Sequence, residues 1–485
     1  MGIKGLKILV KIAVLVGLGT FFGSNAFAGI QAENAVMGVK ELIRSGKISR
    51  GSVLKIVVKQ GNINNYWGRN FELKKEWEER TGTFLDAQVR PQLPVLDFMK
   101  SHDDFDVTVA RNREYPDLWL QGLIENLSPY FRKFDFKLSS NKKDGFILPE
   151  LQAFFDNKIV AVPADNDIAL MYLRKDLLED PEMKKKYQDM HNRTLGIPGT
   201  WDEYLAQVAF FHNYKDGFYG SCEQRNPLTG WMFWMPRYAS QNVNSQKLFD
   251  SNMDPLINSP AGVEATKNYL ATIQYSPAEI LKEGNDYSYT LPFFKRGDCY
   301  SFILTPAGAK VFNSKSSKVK SKFVTVPLPG TLNGNQLTKR TMYIYGNNLV
   351  ISSKSKNKEL AFLYLMWLTD PEVSAKSVGV EKGFADPFRH NHLNISSIQK
   401  IYGKETMDAL AVSIDQTIFA GTGLPGDAEY MNSLNHNLIL AAEGKISPEI
   451  AMQKISEEWD EITDRYGRNK QIELWRNQQK FYPSN

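Results

Sequence analysis

Residues 54–58 read Leu-Lys-Ile-Val-Val, a short apolar run that predicts a buried strand. The period then changes. Phe71, Leu73 and Trp77 recur at helical spacing within 70–80, and Thr81-Gly82 supplies a helix stop. Extended patterns return at 84–89 and 105–110. Strand, helix, strand, helix, strand is the order of an open parallel sheet covered by helices. Upstream, 30–52 reads as a short polar helical prefix.

A strand pair at 158–163 and 168–172 precedes a charged amphipathic helix at 175–189. Thr200-Trp201-Asp202-Glu203 opens another helix, with Thr200 as N-cap and Glu203 three positions on, a capping box. A second α/β region follows: a helix at 260–272, a helix end at 291–297, and strands at 299–304 and 323–328. A strand at 348–352 leads to a helix at 357–368, which stops at Asp370-Pro371, where Pro371 begins the next helix. From Leu424 onward helices dominate, at 428–443 and 448–466, with Ser447 as the second N-cap. No internal repeat or low-complexity tract is present.

The first residues add a compartment. Lys4, Lys7 and Lys11 lead into the apolar stretch 8–22, and Ala26-Phe27-Ala28 follows as a small-x-small cleavage signature, so export and a mature start at Gly29 are expected. The apolar run is shorter than the ~20 residues a spanning helix needs, which makes an uncleaved anchor the weaker alternative. No cysteine stands just after the cleavage site, so a freely diffusing periplasmic protein without a lipid anchor is expected. Loss of the three lysines takes the formal charge from +5 to about +2, too weak a field to hold nucleic acid or anionic lipid. At 485 residues the chain exceeds what one core usually supports, and two or three domains are expected. Cys222 and Cys299 are open to one disulfide or to two separate thiols.

Several segments, in order, resemble the extracellular solute-binding protein family 1 of bacterial ABC importers. They are Trp77-Glu78-Glu79-Arg80-Thr81-Gly82, Phe105-Asp106-Val107 with Gly122-Leu123-Ile124-Glu125-Asn126-Leu127, and Asn157-Lys158-Ile159-Val160-Ala161-Val162-Pro163 leading to Met171-Tyr172-Leu173-Arg174-Lys175-Asp176-Leu177. Gly199-Thr200-Trp201-Asp202-Glu203-Tyr204, Phe294-Lys295-Arg296-Gly297 and the run from Ser353 to Trp367-Leu368-Thr369 complete the set. Each piece alone is weak; their order and spacing carry the resemblance, from about Lys55 to Trp459. Asp298-Cys299-Tyr300 departs from the small residues and methionine more usual after that glycine.

The resemblance implies an α/β, two-lobed periplasmic-binding-protein fold with discontinuous lobes, hinge segments and a helical C-terminus. After the signal peptide (1–28) and helical prefix (29–52), residues 53–165 with 346–390 would form the N-terminal lobe, and 166–342 with 391–485 the C-terminal lobe. Crossings are expected near 165–169, near 343–347 and after Phe388, where Gly346 suits a hinge. The implied function is the substrate-binding component of an ABC importer, delivering a sugar, oligosaccharide or polyol to permease subunits. A monomer is expected, without cofactor or metal, meeting the membrane only through the permease.

A polyhydroxylated ligand needs planar donors and acceptors for its hydroxyls and aromatic faces for its C–H groups. Tyr66 and Trp67 follow the first strand, at a carboxyl end where open α/β sheets bind ligands. Arg111 stands at the equivalent place after 105–110, beside Arg113. Asn166 and Asp167 fall at the first crossing. Trp231 and Trp234 belong to the densest aromatic patch, where core packing is the plain alternative and the resemblance implies stacking on ligand. The loop Thr305-Pro306-Ala307-Gly308, Arg389 and Tyr430 complete the candidates.

Two rivals remain at this level. A receptor for an anionic solute, such as a phosphorylated polyol, would gather Arg111, Arg113 and Arg389. An exported glycosidase would use unrecognised carboxylate pairs. No nucleophile-and-base spacing, Gly-rich phosphate loop or Cys-x-x-Cys favours chemistry. His390 and His392 read as surface residues.

Overall fold

The computed structural model describes residues 29–482 apart from 60–62, 92 and 283–287. The expected signal peptide lies outside the described residues. Two sheets organise the chain. The first runs in the order Phe84–Val89, Val53–Val58, Val107–Arg111, Asn347–Ile351, Val162–Pro163. Its first three strands are parallel, as the alternating pattern predicts, with Leu54 opposite Leu85 and Ile56 opposite Val107. Asn347–Ile351 then inserts antiparallel to both neighbours, pairing Asn347 with Arg111 and Asn348 with Pro163. The expectation of an all-parallel sheet is corrected at that strand. The chain returns to this sheet from the far end of the sequence, which reverses its direction.

The second sheet runs Phe323–Val326, Leu170–Arg174, Cys299–Leu304, Tyr219–Ser221. Every residue of Cys299–Leu304 is buried, the signature of a central strand covered on both faces. Within Tyr219–Ser221, Gly220 lets the strand lie close against the helix Trp201–Phe211: a Cβ there would stand 1.9 Å from the Val208 carbonyl oxygen. Cys222 and Cys299 are joined as a disulfide beside this pair of strands, their Cα atoms 6.2 Å apart. The two-lobed α/β fold follows from these two sheets and their covering helices.

Local signals account for most helix ends. Thr200 accepts from the Glu203 backbone N–H at 3.1 Å while Glu203 accepts from Thr200, closing the capping box. Ser447 caps Pro448–Arg465 through Ile450. The single helix expected over 175–189 is two, Lys175–Glu179 and Pro181–His191, because Asp180 turns extended ahead of Pro181 and caps the second through Glu182 and Met183. The prefix forms Ile30–Arg44, which buries Ala32, Ala35, Val36, Val39 and Leu42 against Lys358–Leu368. Asp370 accepts from Ala32 N–H on that helix and from Glu372 and Val373 on its own, so one carboxylate caps two helices.

Charge is also buried in the second lobe. Glu223 sits between Arg225, at 3.1 Å, and Arg237, at 3.0 Å, all three essentially inaccessible. Arg225 stacks over Tyr269 at 3.9 Å and Arg237 over Trp201 at 4.0 Å. This triad fixes the segment that leads into the helix Trp231–Ala239.

Candidate functional site

The chain passes between the two sheets twice, and the two crossings are tied to each other. The first runs from Val162–Pro163 to Leu170–Arg174, the second into Asn347–Ile351. Ile168 bridges Tyr343, and Ile344 N–H donates to the Asp167 carbonyl oxygen at 2.9 Å. Gly346, in the left-handed region at φ 60°, brings its N–H to 2.8 Å from Asp167 Oδ2. The loop at Asp386-Pro387 joins them, with Asp386 N–H donating to Asp165 Oδ1 at 2.8 Å and Asn166 Nδ2 to the Pro387 carbonyl oxygen at 2.9 Å.

These contacts gather Asp165, Asp167 and Asp386, whose carboxylate oxygens lie within 4.8 Å of one another and are buried. Burial and the Asp167 charge hold Asp165 well above the usual carboxylate range, and burial raises Asp167. Asp386 is raised by burial and by both neighbours. Burial and like-charge crowding both favour the protonated form of these carboxyls. Lys310 lies behind it, buried, with Nζ on the carbonyl oxygens of Val378, Val380 and Gly383 at 3.0, 3.0 and 3.1 Å.

A cavity of about 1000 Å³ opens beside the crossings. One wall is the carboxyl edge of the first sheet, with Lys59, Arg90 and Arg111; the other carries Trp231, Leu304 and Met431. Asp165, Asp167, Tyr345 and Asn347 form the floor at the crossings. The walls touch directly. Arg113 reaches Asp427 at 3.6 Å and the Trp231 ring at 5.4 Å, and Gly426 N–H donates to Asp117 at 3.0 Å. A smaller pocket of about 580 Å³, near Trp201, Arg237 and Glu264, is remote from the crossings.

The sequence model of the bacterial extracellular solute-binding protein family matches residues 96–375. The chain belongs to this family. Solved structures with the same fold include an ABC transporter solute-binding protein of Agrobacterium radiobacter K84 in complex with ribitol. Its TM-score is 0.68 at 17% identity, over 85% of this chain and 99% of that one. Maltose-bound MalE3 of T. maritima gives 0.67 at 19%, over 85% and 100%. A solute-binding protein of Agrobacterium vitis S4 with D-mannitol gives 0.65 at 18%, over 86% and 99%.

In this solute-binding protein, Arg111, Asp167 and Trp231 reach the cavity, as do Arg113 and, from the expected loop, Thr305, Ala307 and Gly308. Six other expected residues do not line it. Trp234 donates Nε1–H to Thr266 at 2.8 Å and stacks on Tyr238 within the core. Tyr430 shares a hydrogen with Thr463 and packs on Phe249 and Trp459. Arg389 lies over Phe146 at 3.7 Å and donates to the Asp144 carbonyl oxygen and Gln31, its pKa brought down to about 9 by burial. Tyr66 and Trp67 are buried, with the Lys74 ammonium 5.3 Å over the Trp67 ring, and Asn166 is spent on the crossing. The histidine reading is corrected: His390 and His392 are buried, and His392 Nε2 meets Ser374 Oγ at 2.9 Å.

Lys59, Arg90, Tyr345 and Asp427 are cavity residues that sequence reasoning missed. A signal existed for two of them. Lys59 and Arg90 follow directly on the two strands whose carboxyl ends face the ligand side of an open sheet.

Proposed function

We propose that the chain is the substrate-capturing component of an ABC importer, taking a small polyhydroxylated solute between its lobes and passing it to a membrane permease. The observation that carries this reading is the cavity of about 1000 Å³ walled from both sheets. Trp231, Leu304 and Met431 offer apolar faces to C–H groups, while Arg111, Asp167 and Asn347 offer donors and acceptors to hydroxyls. The ribitol, maltose and D-mannitol bound by structural neighbours support a sugar, oligosaccharide or polyol. Residues 53–165 with 346–390 form one lobe in this reading, and 166–342 with 391–485 the other. The chain is exported by cleavage after Ala28 and acts in the periplasm as a monomer. Closure about the tied crossings brings Trp231 against the ligand.

The test is a thermal-shift panel of sugars, polyols and their acids on the mature chain, with free amino acids and dipeptides as controls. A bound solute raises the melting temperature by mass action. We expect hits among the polyhydroxylated compounds, recovered unchanged, and at least about ten-fold weaker binding by Trp231→Ala. Stabilisation by amino acids or peptides alone would sink the reading, and steady conversion of a hit to product would replace it with an enzyme.

A further inference from the structure

We infer that the captured solute carries a compact anionic group, a carboxylate or phosphate, seated on the cationic carboxyl edge of the first sheet. This deepens the capture reading and rests on it. Three adjacent parallel strands each deliver a cation to that edge: Lys59 follows Val53–Val58, Arg90 follows Phe84–Val89, and Arg111 ends Val107–Arg111. Parallel strands turn their carboxyl ends to one side, so side-by-side pairing sets Arg90, Lys59 and Arg111 in a row on the cavity wall.

Burial would push Glu114 up, but Arg111, Arg113 and Lys59 bring it below its ordinary value, so it is the counter-charge nearest the row. Glu114 is engaged by the Arg111 backbone N–H at 2.7 Å, and Asp427 faces Arg113. Among the described residues, no hydrogen bond or ion pair takes Lys59 Nζ or the Arg111 guanidinium, and Arg111 Nε is buried without an acceptor. Arg111 rests over the Tyr345 ring, at 5.3 Å. The crowding falls on Lys59, brought down to about 7 by Arg111 first and burial second, with Glu114 opposing them and Arg90 and Asp167 contributing less. Burial raises Asp165 and Asp167 at the floor, which weakens the negative charge they set against the row. Buried cations are normally paired. A neutral polyol leaves Arg111 and Lys59 unpaired, whereas an oxyanion presents two acceptors in the geometry of a guanidinium fork.

Matched ligands test the assignment on the mature chain by titration calorimetry: glucitol, gluconate and glucitol 6-phosphate, and galactose with galacturonate. We expect the charged member of the preferred pair to bind about ten-fold or more tightly than its neutral partner. Its affinity should fall as KCl rises. At pH 8, runs in two buffers of different ionisation enthalpy should record proton uptake on binding, as Lys59 regains its proton beside the anion. The carboxylate and phosphate arms separate the two sources. Arg111→Gln should erase the preference while leaving the melting temperature of the free protein near wild type. Binding of neutral members equally or more tightly overturns the anion seat and leaves the capture reading standing. Binding of no polyhydroxylated compound overturns both.

Discussion

Glu223→Gln tests how the second lobe holds the segment before Trp231. The substitution keeps shape and one carbonyl oxygen but removes the charge between two buried guanidiniums. Burial alone would push Glu223 up; Arg237 and Arg225 outweigh it and bring the carboxyl from 4.5 to about 2. Burial also pulls Arg237 down from its ordinary value, but a guanidinium stays charged through the acid range, so the pH dependence resides in Glu223. A folded pKa below the unfolded one means stability that is fully present above about pH 4.5 and lost as pH falls toward 2. The shift corresponds to about 3 kcal/mol at pH 7, falling to about 1 kcal/mol at pH 3. Removing one partner of a buried ion pair typically costs a similar ~3–5 kcal/mol. Urea unfolding followed by tryptophan fluorescence should therefore show a lower midpoint for the variant at pH 7 and a gap that shrinks by more than half at pH 3. A variant as stable as wild type at pH 7, or a gap unchanged at pH 3, would falsify the assignment of that stability to the triad.

Three further outcomes are expected. Cys222→Ser with Cys299→Ser should lower stability by up to about 4–5 kcal/mol, because the disulfide spans a sequence separation of 77 residues; urea midpoints with and without reductant measure it. His392 is held down to about 3, first by burial and then by Arg389, so its contribution is intact above pH 6.5 and declines as pH falls toward 3. His392→Asn should flatten that part of the melting-temperature profile, and an unaltered slope would exclude His392 as its source. Trp234→Phe should destabilise by about 1 kcal/mol through loss of the Thr266 hydrogen bond while leaving solute affinity unchanged, which separates it from Trp231→Ala in the same calorimeter.

Periodicity and punctuation located individual elements well. Phe84–Val89 and Cys299–Leu304 are found at the bounds read from the apolar pattern, and the Thr200 and Ser447 caps form as their spacing requires. Pairing across long separations was less accessible. Nothing local to Asn347–Ile351 says that it runs antiparallel between Val107–Arg111 and Val162–Pro163, since direction is set by where the chain re-enters. The aromatic patch illustrates the limit at the site. Trp231 and Trp234 share a helix face by spacing, yet Trp231 borders the cavity and Trp234 reaches Thr266, because the helix Pro260–Ala271 covers one and not the other. Glu223, Arg225 and Arg237 look like solvated charge in sequence; only their mutual pairing permits burial.

The late return of Asn347–Ile351 to the first sheet has a consequence for synthesis. Until that strand leaves the ribosome, Val107–Arg111 and Val162–Pro163 have no partner between them, and the sheet stays open at its centre. At translation rates of roughly 5–20 residues per second, the gap after Pro163 lasts on the order of ten seconds or more. An ordinary domain would use that interval to fold as it emerges. Here the interleaved strand order postpones closure of the first sheet until well over half of the chain has been made.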